Sequence, residues 1–228
     1  MSALDVRIFT VGPVQENAYL IRASSQERQA VIVDPGEEAP RLLGAIEELG
    51  VDLQAILITH CHFDHIGAVA PLAKATGVPV YCPEIEAPIL ADIMKWVPPG
   101  FGPFESHEAE RTLTGGERLN IASLDFDVIF TPGHSPGHVS YALAEQQALF
   151  SGDVLFQGSV GRVDLPGGDW GTLERSIGTL LEGSSHQSTV YPGHMGITTL
   201  QRELQSNPFL AELRENLSSS VGRDSAAN

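Results

Sequence analysis

Cysteine is scarce in this sequence. Two residues, Cys61 and Cys82, cannot build the framework that staples a small secreted domain. They read as reduced thiols, which fits a cytoplasmic protein. Long apolar runs are also missing, since the longest are strand-length and no membrane span is expected. Basic residues are few: 13 Lys and Arg stand against 29 Asp and Glu, for a net charge of −16. That field repels a nucleic-acid backbone, and no Lys/Arg patch offsets it. Read from Met1, no basic stretch leads into an apolar one, so no secretory signal is expected. Short-period repeats are absent as well.

What remains is an ordinary globular chain of 228 residues, 42% hydrophobic, able to bury a full core. One domain over residues 1–216 is expected, followed by a polar, frayed tail over 217–228. Strands are predicted at 7–11, 17–21 and 30–33, and a helix at 39–49 with Pro40 in its first turn and Gly50 beyond its end. A buried strand runs to Thr59. A helix at 67–76, a strand at 78–81 and a helix at 84–96 follow. Residues 97–104, rich in Pro, Gly and Phe, read either as a lid or substrate wall or as an ordinary connection packed by its aromatics. The second half predicts strands at 118–121, 124–130, 139–143, 148–151 and 189–191, a helix at 172–181 and a last helix from Asn207. Strands alternating with helices, together with runs of consecutive strands, imply an α/β fold of sheets covered by helices.

The most informative stretch is Thr59-His60-Cys61-His62-Phe63-Asp64-His65, at the end of a predicted buried strand. His60 and His62 are two apart, so an extended backbone puts both rings on one side and Cys61 on the other. Asp64 and His65 approach from a second direction as the chain turns into a helix. Four donors exceed the needs of one catalytic metal, which keeps a position open for water, so two metals are indicated. Similar donors close other strands: His134 after Phe130-Thr131-Pro132-Gly133, Asp153 after Ser151-Gly152, and His194 after Tyr191-Pro192-Gly193. Lone His107 and His186 read as surface residues, and His138 as a residue behind the site or a packing residue.

Together these residues resemble the metallo-β-lactamase superfamily, whose H-x-H-x-D-H hallmark is met by His60, His62, Asp64 and His65. The resemblance runs from about Asn17 to His194. It implies an αββα sandwich of two mixed sheets with metals at one edge. By the same resemblance, His60, His62 and His134 hold one metal, Asp64, His65 and His194 hold a second, and Asp153 bridges them. Asp34, in Val33-Asp34-Pro35-Gly36, matches a position that orients a ligand histidine, besides making a turn. Two divalent cations, with zinc favoured over iron or manganese, would lower the pKa of a bridging water to about 7. Asp64 is placed to accept or relay a proton, and no side-chain nucleophile is needed.

Within the superfamily the chain is similar to short bacterial glyoxalase II-like (hydroxyacylglutathione hydrolase-like) proteins. The similarity rests on Ser151-Gly152-Asp153-Val154-Leu155-Phe156, on residues 161–169, on Thr198-Thr199-Leu200 and on Asn207-Pro208-Phe209-Leu210. It implies hydrolysis of a small thioester such as S-lactoylglutathione to a hydroxy acid and glutathione. Arg162 and Tyr191 are the candidate substrate contacts. Where the longer enzymes have a glutathione-contacting Lys and then a Tyr, this chain has Arg162 and Asp164, so Arg162 either clamps a substrate carboxylate or pairs with Asp164. The alternatives are a mononuclear iron persulfide dioxygenase, a lactonase or β-lactamase-like hydrolase, and a metal-binding protein without catalysis.

Overall fold

The computed structural model describes residues 3–215; the expected tail over 217–228 lies outside the described residues. The first half supplies β1 (Asp5–Val11), β2 (Glu16–Arg22), β3 (Gln29–Val33), α1 (Ala39–Glu48) and β4 (Asp52–Leu57). It continues with α2 (Phe63–Ile66), α3 (Val69–Thr76), β5 (Val80–Pro83), α4 (Ala87–Ala91) and β6 (Arg111–Leu113). The second half supplies β7 (Arg118–Ile121), β8 (Leu124–Phe130), β9 (Val139–Leu143), β10 (Ala148–Gly152) and the hairpin β11 (Leu155–Phe156) and β12 (Ser159–Val160). Next come α5 (Trp170–Gly183), β13 (Thr189–Pro192), β14 (Thr198–Thr199) and α6 (Leu200–Ser206).

Two six-stranded sheets form, ordered β1-β2-β3-β4-β5-β6 and β14-β13-β10-β9-β8-β7. Both are mixed. In the first, β1, β2 and β3 pair antiparallel, and β3 through β6 pair parallel. In the second, only β10 and β13 run parallel.

The strand sequences explain the layering. A strand covered on both faces reads as a continuous apolar run. In β3, Ala30 and Ile32 face one way, into a core shared with Leu42, Ile46, Val69 and Leu72 of α1 and α3. Val31 and Val33 face the other way, against Phe126, Val128, Tyr141 and Phe150 of the second sheet. On the far side of that sheet, Leu149 and Val190 pack on Leu173, Ile177 and Leu180 of α5 and Leu200 of α6. The order is therefore helix, sheet, sheet, helix, as expected. Truncating a buried aromatic between the sheets, such as Phe126→Ala, removes about 3–5 kcal/mol of stability.

Polar bonds close the seam between the sheets at one edge. The Tyr141 hydroxyl donates to the Ile58 carbonyl at 2.7 Å and the Tyr19 hydroxyl to the Pro192 carbonyl at 2.6 Å. The Asn17 amide donates to Gly193 O at 2.8 Å and the Val139 amide to Thr59 O at 2.9 Å.

Three expectations shift. β4 stops at Leu57 rather than Thr59, because the Thr59 amide is taken by the Asp34 carboxylate instead of a neighbouring strand. The helix predicted over 84–96 is broken into a 3-10 turn at Glu84–Glu86, the short α4, and a second 3-10 turn at Ile93–Lys95. Pro88 is the reason: a proline is tolerated in the first turn of a helix but not inside one. The short elements β6, β11, β12 and β14 are too brief to carry a period, and α6 also went unpredicted. No helix among the described residues is long and apolar enough to cross a membrane.

Candidate metal centre

Beyond Leu57 the chain leaves the first sheet as an extended segment and enters α2 with His62 as its N-cap. His60 and His62 therefore project from extended backbone, while Asp64 and His65 project from the first helical turn. His134 lies in the loop after β8, Asp153 directly follows β10, and His194 follows β13. All seven donors meet at the seam, four from the first sheet's side and three from the second's.

Hydrogen bonds behind the rings fix which nitrogen faces the centre, a relation set by the partner of the other nitrogen. His60 Nδ1 sits 3.1 Å from Thr59 Oγ1, whose own proton goes to Asp34 Oδ2 at 2.6 Å. His65 Nδ1 donates to Asp34 Oδ2 at 3.0 Å, His134 Nδ1 to the Arg162 carbonyl at 2.7 Å, and His194 Nδ1 to the Gln15 carbonyl at 3.3 Å. The four Nε2 atoms are thereby turned inward. His62 presents Nδ1, 3.0 Å from His60 Nε2 and 2.8 Å from His134 Nε2.

Two groups of donors result, His60–His62–His134 and Asp64–His65–His194. Within each, the donor atoms lie within 4.8 Å of one another. Asp153 stands between them. Its Oδ1 is 3.4 Å from His65 Nε2; its Oδ2 is 3.4 Å from His134 Nε2 and 3.6 Å from His194 Nε2. Asp64 Oδ2 is 3.3 Å from His194 Nε2. His65 Nε2 and Asp153 Oδ1 are both buried and without a hydrogen-bond partner among the described residues. Orphaned buried polar atoms are costly, and a shared cation would satisfy both, so the residues present fit divalent metal. Gly193 makes the crowding possible, since a Cβ there would come within 2.2 Å of Asp153 Oδ1.

The two groups differ electrostatically. Burial, reinforced by the neighbouring rings, holds His60 well below the usual imidazole value. The same causes, burial first and His134 next, bring His62 down to about 4. For His65, burial pulls downward but is overcome by Asp153, Asp34 and Asp64, which push the ring well up. His194 is likewise raised, burial being outweighed by its hydrogen bond to Asp64 and the Asp153 charge. Burial would raise Asp153, yet the charges of His65, His134 and His194 hold it far below the usual carboxylate range.

A cavity of about 520 Å³ opens over the donors, lined among others by His62, Asp64, Trp96, Phe156, Arg162 and Leu165. Arg162 reaches the cavity wall but is forked onto Asp164, with 2.6 and 2.7 Å bonds, and both side chains are exposed. The pairing of Arg162 with Asp164 is therefore the one the structure shows. Tyr191 is not among the cavity-lining residues. Its ring stacks on Phe150 at 4.9 Å and meets Tyr19 edge-on in the core between the sheets. That placement gives Tyr191 a packing role between the sheets. In residues 97–104, Phe101 and Phe104 pack on Phe63, and Pro98 borders the cavity.

Other residues act from behind the site. His138 is fully buried and its Nε2 accepts the Asp153 amide at 3.0 Å, which seats the residue between the two groups. Cys61 points away from the rings, its sulfur 3.4 Å from that of Cys82, and both thiols are free. His107 pairs with Glu110 away from the centre, and His186 is exposed. Two buried acids escaped sequence reasoning. Glu16 lies 3.8 Å from His65 Nδ1, and burial pushes its carboxyl well above the usual range. Glu86 accepts bonds from the Cys61 amide, the Ser135 hydroxyl and the Gly137 amide. No local spacing signals either one. The run Gly133-His134-Ser135-Pro136-Gly137 matches Gly-x-Ser-x-Gly, the spacing of a serine-hydrolase elbow. It joins two strands instead of a strand and a helix, and the Ser135 hydroxyl is engaged by Glu86, so it is no nucleophile.

Residues 11–194 match the metallo-beta-lactamase superfamily, and the chain belongs to that superfamily. It is a metallohydrolase of that fold, for which divalent metal ions are implied. Among relatives, hydroxyacylglutathione hydrolase GloC of Haemophilus influenzae is 37% identical over 210 residues, covering 91% of this chain and 98% of the relative. Among solved structures, the BLEG-1 B3 metallo-beta-lactamase superposes with a TM-score of 0.85 at 38% identity, covering 91% of this chain and all 100% of that one. A di-iron-bound form of TTHA1623 gives 0.75 at 42% identity, with 90% and 100% covered.

Proposed function

We propose that the protein is a dinuclear metal-dependent thioesterase of the hydroxyacylglutathione hydrolase kind, cleaving a small thioester such as S-lactoylglutathione to a hydroxy acid and a thiol. The observation that carries this is the position of Asp153, whose two oxygens look toward both donor groups at 3.4–3.6 Å. His60, His62 and His134 would hold one cation, Asp64, His65 and His194 the other, with Asp153 shared. The similarity to GloC supports the thioester, and the di-iron form of a similar structure supports two ions. When bound, such cations supply Lewis acidity and a water acidic enough to ionise at neutral pH.

The chain's own residues do the rest. Asp34 and the Arg162 carbonyl lock the His65 and His134 rings in the tautomer that turns Nε2 inward. Asp64 faces the cavity and is held ionised: burial, which would raise it, is outweighed by its hydrogen bond from His194 and the His65 charge. In this reading Asp64 would take up a proton during hydrolysis. The apolar wall of Trp96, Phe156 and Leu165 keeps bulk water from the scissile bond, and the Arg162 guanidinium offers a fork to a substrate carboxylate.

The test is metal content measured together with turnover of S-lactoylglutathione. Two ions per chain with thioester cleavage is the expected result. One iron per chain with oxygen uptake on glutathione persulfide would replace this reading with the dioxygenase. Full loading without turnover of any thioester, ester or lactone would leave a metal-binding protein.

A further inference from the structure

Glu86 belongs to neither donor loop, yet it holds both loops of one donor group. It sits in the 3-10 turn that follows β5, on the first sheet's side, and is 1% exposed. One carboxylate oxygen, Oε2, accepts the amide of Cys61 at 2.5 Å. That amide lies between His60 and His62, so the bond fixes the peptide from which both rings project. The other oxygen, Oε1, accepts the Ser135 hydroxyl and, at 2.9 Å, the Gly137 amide. Those two donors flank the turn that follows His134. A single rigid, planar group therefore spaces the 60–62 segment against the 134–137 loop, which comes from the other sheet.

The fit is built on both sides. A Cβ at Gly137 would come within 2.6 Å of Glu86 Cγ and 2.9 Å of Ile85 Cβ, so only glycine lets the loop approach this closely. The donors on Glu86 are neutral, and a buried carboxylate is retained at substantial desolvation cost. A methyl group or an amide would fill the space at lower cost, but neither supplies acceptors to both loops at once.

We infer that Glu86 is a positioning residue that sets the spacing of His60, His62 and His134, and thereby the cation affinity of that group but not of Asp64–His65–His194. The inference rests on the reading that these two groups hold cations. No bond links Glu86 to the second group, whose rings are oriented by Asp34 and the Gln15 carbonyl.

The test uses zinc alone, titrated against a chelator, with each group read in isolation. A His194→Ala background leaves only the first group with its full donor set, and a His62→Ala background leaves only the second. Glu86→Gln is expected to weaken zinc about 10–100-fold in the first background, the usual effect of removing a group that orders ligands, and to leave the second unchanged. Ser135→Ala, which removes one donor and threatens the fold less, should shift the same affinity in the same direction by a smaller factor. Glu203→Gln is the control. Glu203 is an equally buried carboxylate, bound by Thr198, Gly158 and Asn207 away from the donors. It should lower the melting temperature without changing either affinity. Equal weakening in both backgrounds would show that Glu86 is merely structural, and unchanged affinity in both would also overturn the inference. If both parent backgrounds bind no zinc, the metal-site reading itself fails, whatever Glu86 does.

Discussion

The two donor groups have equal numbers of protein ligands and opposite relations to the proton. His60 is buried and His62 partly buried among other rings, and both are driven toward the neutral form. His65 is buried and His194 partly buried among carboxylates, and both are driven toward the charged form. A cation approaching the first group finds lone pairs ready. One approaching the second must displace protons that Asp64, Asp153 and Asp34 have drawn there. In the cation-free protein a protonated ring is the nearest substitute for a metal, because it neutralises the same acids. The contrast teaches that ligand identity alone does not rank two adjacent sites; the charge behind each ligand also decides.

Four changes should break or sharpen this contrast, in descending order of effect. Asp153→Ala should abolish it, because both groups lose their shared ligand. Metal analysis after desalting should find neither ion retained, and turnover should fall by roughly 10³-fold or more. Retention of both ions with normal turnover would show that Asp153 does not bridge.

Acid should exaggerate the contrast. Raised pKa values mean that His65 and His194 hold their protons to higher pH than an ordinary imidazole, so falling pH strengthens the competitor and weakens the cation. Between pH 7.5 and 5.5 the affinity of the second group should drop by up to about 100-fold per displaced proton. His60 and His62, with depressed values, contribute no such loss in that range. Zinc titrations in the two single-group backgrounds measure both slopes, and equal slopes would refute the assignment.

Asp34→Asn should act more strongly on one side. It alters the carboxylate that His65 Nδ1 donates to directly but that reaches His60 only through Thr59, so affinity at the second group should fall about 10–100-fold and at the first by a smaller factor. Arg162→Ala should touch neither group. Its pair with Asp164 is exposed, so the expected result is unchanged metal content and a KM rise of less than about tenfold, readable by steady-state kinetics. An unfolded product would make Arg162 a structural residue instead.

His60, His134, Asp153 and His194 stand at or shortly past the ends of apolar strands, and strands that share a sheet deliver their ends to a common edge. His62, Asp64 and His65 are legible from the H-x-H-x-D-H spacing, and Asp34 only from the family resemblance. The packing place of Tyr191 follows from the strand pattern. Side chains alternate along a strand, and with Val190 facing α5 and α6, Tyr191 must face the other sheet. Glu86 was not legible at all. Its partners lie 25, 49 and 51 positions away, and only the folded chain brings them together. The break in the helix expected over 84–96 has a local signal in the sequence, Pro88.

The seam has a further consequence. Its donors come in comparable numbers from two sheets whose remaining attachment is largely apolar packing, so a cation seated there works as a rivet between plates. Prying the plates apart must expel it, and unfolding is then opposed by mass action: about 2.7 kcal/mol for each ion held at one hundred times its dissociation constant. The melting temperature should therefore climb with free zinc, and a chelator should soften the whole sandwich, including helices that lie nowhere near the rivet.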